Sequence, residues 1–145
     1  MEDKDSVFDI ENGTLMEYFG DDVDVVIPDC VTDIFFYVFS GTRINSVVIP
    51  GSVEEIAPFT FSQSELTIAT LKEGVQQIGC GAFEKCKRLE KVFLPQSIVF
   101  IERSAFLECD SLKEIHFNGT EEQWQAVQKE DGWNKGASEF CVVCK

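Results

Sequence analysis

Basic residues are scarce in this chain. Its 145 residues hold 12 Lys and Arg against 26 Asp and Glu, a formal net charge of −14 and a pI near 4.3. A surface that tracks phosphates needs clustered Lys and Arg, so nucleic acid is not an expected partner. Histidine occurs once, at His116. With one imidazole, no G-x-S-x-G and no glycine-rich loop between a strand and a helix, neither a nucleophile with its base nor a phosphate cradle can be assembled. The adjacent acids Glu54–Glu55 and Glu121–Glu122 fall on solvated turns or a helix start and make no claim to catalysis. No stretch approaches the roughly 18 apolar residues of a membrane span. The opening MEDKDSVFDI has neither the basic nor the apolar region of a secretion signal, so a cytoplasmic place is expected if the chain is full length.

What the chain does have is a repeat. The segments VVIPDCVTDIFFYVF, VVIPGSVEEIAPFTF, ATLKEGVQQIGCGAF and VFLPQSIVFIERSAF align on Ile27, Ile49, Leu71 and Leu94, and a fading fifth copy, EIHFNGT, aligns on Phe117. The steps are 22, 22, 23 and 23 residues. A period of this size predicts a solenoid, in which each unit buries its apolar side only against its neighbours. Two residues before each anchor stand Val25, Val47, Ala69, Val92 and Ile115, which is strand alternation. Further apolar columns follow at Val31, Val53, Val75 and Ile98, at Ile34, Ile56, Ile78 and Ile101, and at Phe39, Phe61, Phe83 and Phe106. Each turn closes on Ile44, Leu66, Leu89 or Leu112. Pro28, Pro50 and Pro95 mark the corners after the strands, where a fixed φ and a missing N–H end the ladder. Lys72 replaces that proline in the third turn.

A bare terminal turn would expose core and strand edge, so both ends need caps. Phe8 and Ile10 alternate before Asn12-Gly13, a hairpin turn signal, with Leu15 to Tyr18 as the return strand. At the other end Thr120 and Gln123 form a T-x-x-Q capping box, and Trp124 and Val127 share one helical face. Trp133 belongs to the same lid. The chain therefore divides into a cap over 1–22, repeats over 23–117, and a cap with helix and terminal strand over 118–145, all one domain.

Six cysteines invite a chemical reading. Cys86 and Cys109 lie one repeat apart and stack on neighbouring turns; parallel Cβ vectors favour buried thiols over a disulfide there. Cys30 and Cys80 fall in different columns with no evident partner. Cys141-Val142-Val143-Cys144 has the spacing of zinc and redox motifs, but a zinc site needs two further ligands and a redox pair would open a helix. A metal or redox role is the weakest of the readings, and no cofactor is expected.

The repeat resembles the BspA-like leucine-rich repeat family, whose unit runs approximately V-x-I-P-x-S-V-x-x-I-G-x-x-A-F-x-x-C-x-x-L. The matching stretches are Val92 to Leu112, Val47 to Phe61 and, for the A-F-x-x-C-x-x-L part, Gly81 to Leu89. This resemblance implies a right-handed, mainly β coil of about five turns with short helical or irregular bends. It also implies a non-enzymatic module for contact with other proteins, associated with adhesion and with display at the cell surface. Between the buried positions of each strand, Val26, Val48, Thr70, Phe93 and His116 point the other way, flanked by an outward column that includes Lys91 and Glu114. These seven are the candidate protein-binding residues. The alternative is a structural module that associates weakly with copies of itself through the same strip.

Overall fold

A computed structural model describes residues 7–145; the first six residues of the expected N-terminal cap lie outside the described residues. A hairpin opens the chain, β1 (Phe8–Glu11) pairing antiparallel with β2 (Thr14–Tyr18). Its turn residues Asn12 and Gly13 both take positive φ, 52° and 84°, as a tight two-residue hairpin turn demands. Strands β3 (Asp24–Val26), β5 (Ser46–Ile49), β7 (Ile68–Leu71), β9 (Lys91–Leu94), β11 (Glu114–Phe117) and β13 (Cys141–Val143) then form one six-stranded sheet, every neighbouring pair parallel. Between them come the two-residue strands β4 (Asp33–Ile34), β6 (Glu55–Ile56), β8 (Gln77–Ile78), β10 (Phe100–Ile101) and β12 (Gln128–Lys129). The last four make a second parallel sheet, while β4 pairs with β2 of the hairpin. The hairpin thus caps the short-stranded side of the coil.

The coil has about six turns, one more rung than the five anchors predict. The sixth is β13, which pairs residue for residue with β11 after the chain has passed through helix α1 (Glu121–Ala126). The helix carries the expected capping box: Thr120 Oγ1 accepts from the Gln123 N–H at 3.1 Å, and Gln123 Oε1 accepts from the Thr120 N–H at 2.9 Å. Trp124 and Val127 close over the core, and Lys129 Nζ sits 4.2 Å from the centre of the Trp124 ring.

The core is the stack of columns. Phe39, Phe61, Phe83 and Phe106 are fully buried and lie ring on ring at 5.2, 5.1 and 5.3 Å. Tyr18 from the hairpin covers one end of this spine and Trp133 the other, at 5.1 and 6.0 Å. Beside it, a position that closes each bend holds Thr42, Ser64, Cys86 and Cys109. Cys86 Sγ donates to the Phe61 carbonyl at 3.1 Å and Cys109 Sγ to the Phe83 carbonyl at 3.0 Å, so each thiol ties its turn to the one before. All six cysteines are free. Burial pushes the Cys86 thiol up to about 11 and raises that of Cys109 as well. Neither is suited to nucleophilic or redox work at neutral pH.

At the corners, Val31, Val53 and Ile98 donate back to Pro28, Pro50 and Pro95, and Val75 does the same to Lys72 at 3.2 Å. The turn therefore survives the loss of its proline. What it requires is Gly74, at φ +117°, whose Cα faces the backbone of Gly51 on the neighbouring turn.

Candidate protein-binding face

The pleat of the six-stranded sheet sends Val25, Val47, Ala69, Val92 and Ile115 into the core, so the residue after each must face outward. The register lines these up: Val26 opposite Val48, Val48 opposite Thr70, Thr70 opposite Phe93, Phe93 opposite His116. Val143 extends the row beyond His116. Val26, at the edge strand, is 66% exposed; Val48, Thr70, Phe93 and His116 are half-buried by their neighbours along the row.

A second outward row carries Asp24, Ser46, Ile68, Lys91, Glu114 and Cys141. Ser46 Oγ donates to Asp24 Oδ1 at 2.6 Å. Lys91 Nζ lies 3.9 Å from Glu114 Oε1, and the same oxygen is 2.6 Å from His116 Nε2. An ionised carboxylate can only accept, so Nε2 of His116 carries the proton in that bond. The hydrogen bond from His116 holds the Glu114 carboxyl below the usual range, helped by the charge of Lys91 and opposed by desolvation. The imidazole also stacks on Phe93, with ring centres 4.7 Å apart. His116 is thus fixed between a ring and a carboxylate.

These residues divide into two groups. Thr70, Phe93 and His116 line an open groove of about 520 Å³ together with Val143, Lys72, Asn118 and Lys145. Val26 and Val48 lie beyond it towards the N-terminal edge, and Lys91 and Glu114 stand on the adjacent row. Val143 and the corner residues are absent from the sequence-based set. Val143 escapes because 27 residues separate it from His116, out of step with the repeat; the apolar run Phe140-Cys141-Val142-Val143 is the signal of a strand there. The C-terminal cysteines sit on this strand with Cys141 exposed and Cys144 half-buried, and among the described residues no group of three His, Cys, Asp or Glu gathers in a metal-holding arrangement.

A coil of short parallel strands with one in-register outward face is a leucine-rich-repeat type of solenoid. The sequence agrees: the BspA type leucine rich repeat region matches residues 19–127 in six copies, and the chain belongs to that family. Among solved structures, a leucine rich cell surface protein of Faecalibacterium prausnitzii superposes with a TM-score of 0.73 at 26% identity, over 83% of this chain and 33% of its own. The T. pallidum leucine rich repeat protein gives a TM-score of 0.51 at 23% identity, over 82% of this chain and 54% of its own, a likeness of fold alone. The chain therefore spans about a third and about half of these two proteins. No curated protein matches it in sequence. No described helix is long and apolar enough to cross a membrane.

Proposed function

We propose that this chain is a non-enzymatic recognition module that meets another protein through the outward rows of its six-stranded sheet, at a cell surface. The observation that carries this reading is the unbroken, half-exposed row Val48, Thr70, Phe93, His116 and Val143, the last four of which open on a groove. The cell-surface setting rests on the F. prausnitzii relative. Six strands of about four residues project roughly 400 Å², about half of what each partner contributes to a standard interface. A single face therefore binds weakly, and useful affinity comes from the corner residues around the groove or from several copies acting together. Self-association is the second reading, favoured by the exposed Val26 at the outer edge of β3.

The deciding variant is Phe93→Asp, which puts a charge in the middle of the row while leaving the buried columns untouched. Light scattering over a concentration series is expected to give a monomer for both proteins, and a pull-down from host-cell surface extract is expected to lose its captured protein with Phe93→Asp. Dimerisation of the wild type alone would make the row a self-association face. Unchanged capture by the variant would remove the row from the binding site.

A further inference from the structure

Away from the long sheet, the first turn carries a second surface that the repeat does not require. In the bend after the two-residue strands, one column has a left-handed backbone in every turn: Tyr37 at φ 67°, Phe59 at 59°, Gly81 at 63° and Ser104 at 62°. Bulky side chains are rare in that conformation, and the third turn uses the glycine that suits it. The first two turns instead place aromatics there, and the first precedes Tyr37 with Phe35 and Phe36. These three are 54%, 45% and 49% exposed, so the core does not account for them. They are ordered among themselves: Phe35 stacks on Phe36 at 4.6 Å, Phe36 meets Tyr37 edge-on at 6.5 Å, and Tyr37 stacks on Phe59 at 5.2 Å.

The rim of this aromatic corner is acidic. Phe35 and Phe36 share a hollow of about 230 Å³ with Pro58 and with two carboxylates, Asp33 and Glu55. No Lys or Arg lines it, and among the described residues neither carboxylate takes part in an ion pair. The Glu55 carboxyl is pushed up first by partial desolvation and then by the nearby charges of Glu102 and Asp33. The volume falls below the about 300 Å³ at which small-molecule pockets begin, and suits one side chain. Ring faces and carboxylates attract the same chemistry, a planar cation: a guanidinium stacks on an aromatic ring and gives paired N–H groups to a carboxylate.

We propose that the Phe35–Phe36–Tyr37 corner docks an arginine side chain from an extended basic segment of a partner protein, its guanidinium on the phenylalanine faces and its N–H groups on Asp33 and Glu55. This site is independent of the strand rows. The test measures calorimetric affinity for a short capped peptide of alternating arginine and glycine, and for its citrulline analogue, which keeps the shape and loses the charge. Binding of the arginine peptide is expected to fall about tenfold in Asp33→Asn/Glu55→Gln and about fivefold in Phe36→Ala. It should be unchanged in Glu121→Gln/Glu122→Gln, which removes as much charge at the opposite end of the coil. The citrulline peptide should bind at least about tenfold more weakly than arginine. The first double variant is near-isosteric, so circular dichroism should show it folded and a loss of binding will not reflect unfolding. Equal weakening by the Glu121/Glu122 variant would overturn the proposal in favour of net charge, and equal affinity for citrulline would overturn the role of the cation. No measurable binding of the arginine peptide, or a wild-type dimer abolished by Phe36→Ala, would overturn it as well.

Discussion

At the scale of single residues, the fold depends not only on the side chains that recur but also on places where one turn comes close to the next. Gly74 and Gly41 both have positive φ, +117° and +70°. A Cβ on Gly41 meets nothing within 4 Å, whereas one on Gly74 runs into the carbonyl of Gly51. Gly41→Ala is therefore expected to lose only the conformational term, about 1 kcal/mol. Gly74→Ala adds an overpacking term of similar or larger size and should lose about 3 kcal/mol in all. Urea denaturation of the two variants checks this, and equal losses would mean that the Gly51–Gly74 contact relaxes freely. The same contact explains why Lys72 is tolerated: proline is dispensable where the backbone pair and the Val75 to Lys72 bond already fix the turn.

The elements show what a repeating sequence makes legible. Alternating apolar anchors put the strands at Val25, Val47, Ala69, Val92 and Ile115, and all five fall inside the sheet, because a column pattern is a direct record of which side of each strand is buried. The Asn12-Gly13 turn and the Thr120–Gln123 box were equally readable, each being local chemistry complete within four residues. Harder to read is the pairing of the terminal strand β13 with β11: 27 residues separate His116 from Val143, a step that breaks the 22- to 23-residue period. The aromatic corner is hidden for a different reason: Phe35 to Tyr37 lie between the Ile34 and Phe39 columns at positions that later turns fill as Gly79-Cys80-Gly81 or Glu102-Arg103-Ser104, so the repeat says nothing of them. The helix that displaces β13 has six residues and a single buried one, Trp124, so its cap carries much of its stability. Thr120→Ala removes a hydroxyl bond and strands the Gln123 N–H, and is expected to lower stability by about 1 kcal/mol. Hydrogen exchange should rise first in 121–127. Uniform acceleration across the coil instead would show that the lid and the solenoid open as one unit.

Over the whole molecule, a charge of −14 on a narrow coil makes stability depend on pH in a way that individual groups can report. The folded state raises the pKa of Glu55, through burial first and then through Glu102 and Asp33. A raised carboxyl pKa means the folded chain binds that proton more tightly than the unfolded one. The associated stability is present below the ordinary carboxylate range and is lost as pH rises through the folded value. Glu55→Gln removes that loss, so the variant should be more stable than wild type at neutral pH, with the difference closing below about pH 4. Added salt should shrink it too, because part of it is repulsion between exposed charges. At the alkaline end both proteins share a second limb. Cys86 has its pKa raised from 9.0 to about 11 by burial, so its contribution is intact below pH 9 and declines as pH climbs towards 11. Two pH units at about 1.4 kcal/mol each amount to roughly 3 kcal/mol for Cys86 alone, and the raised Cys109 thiol adds to the same limb. Urea midpoints at pH 4, 7, 9 and 11, with and without salt, test both limbs. A variant no more stable than wild type at pH 7 would mean that Glu55 is well solvated and that the acidic rim of the aromatic corner carries no unbalanced charge.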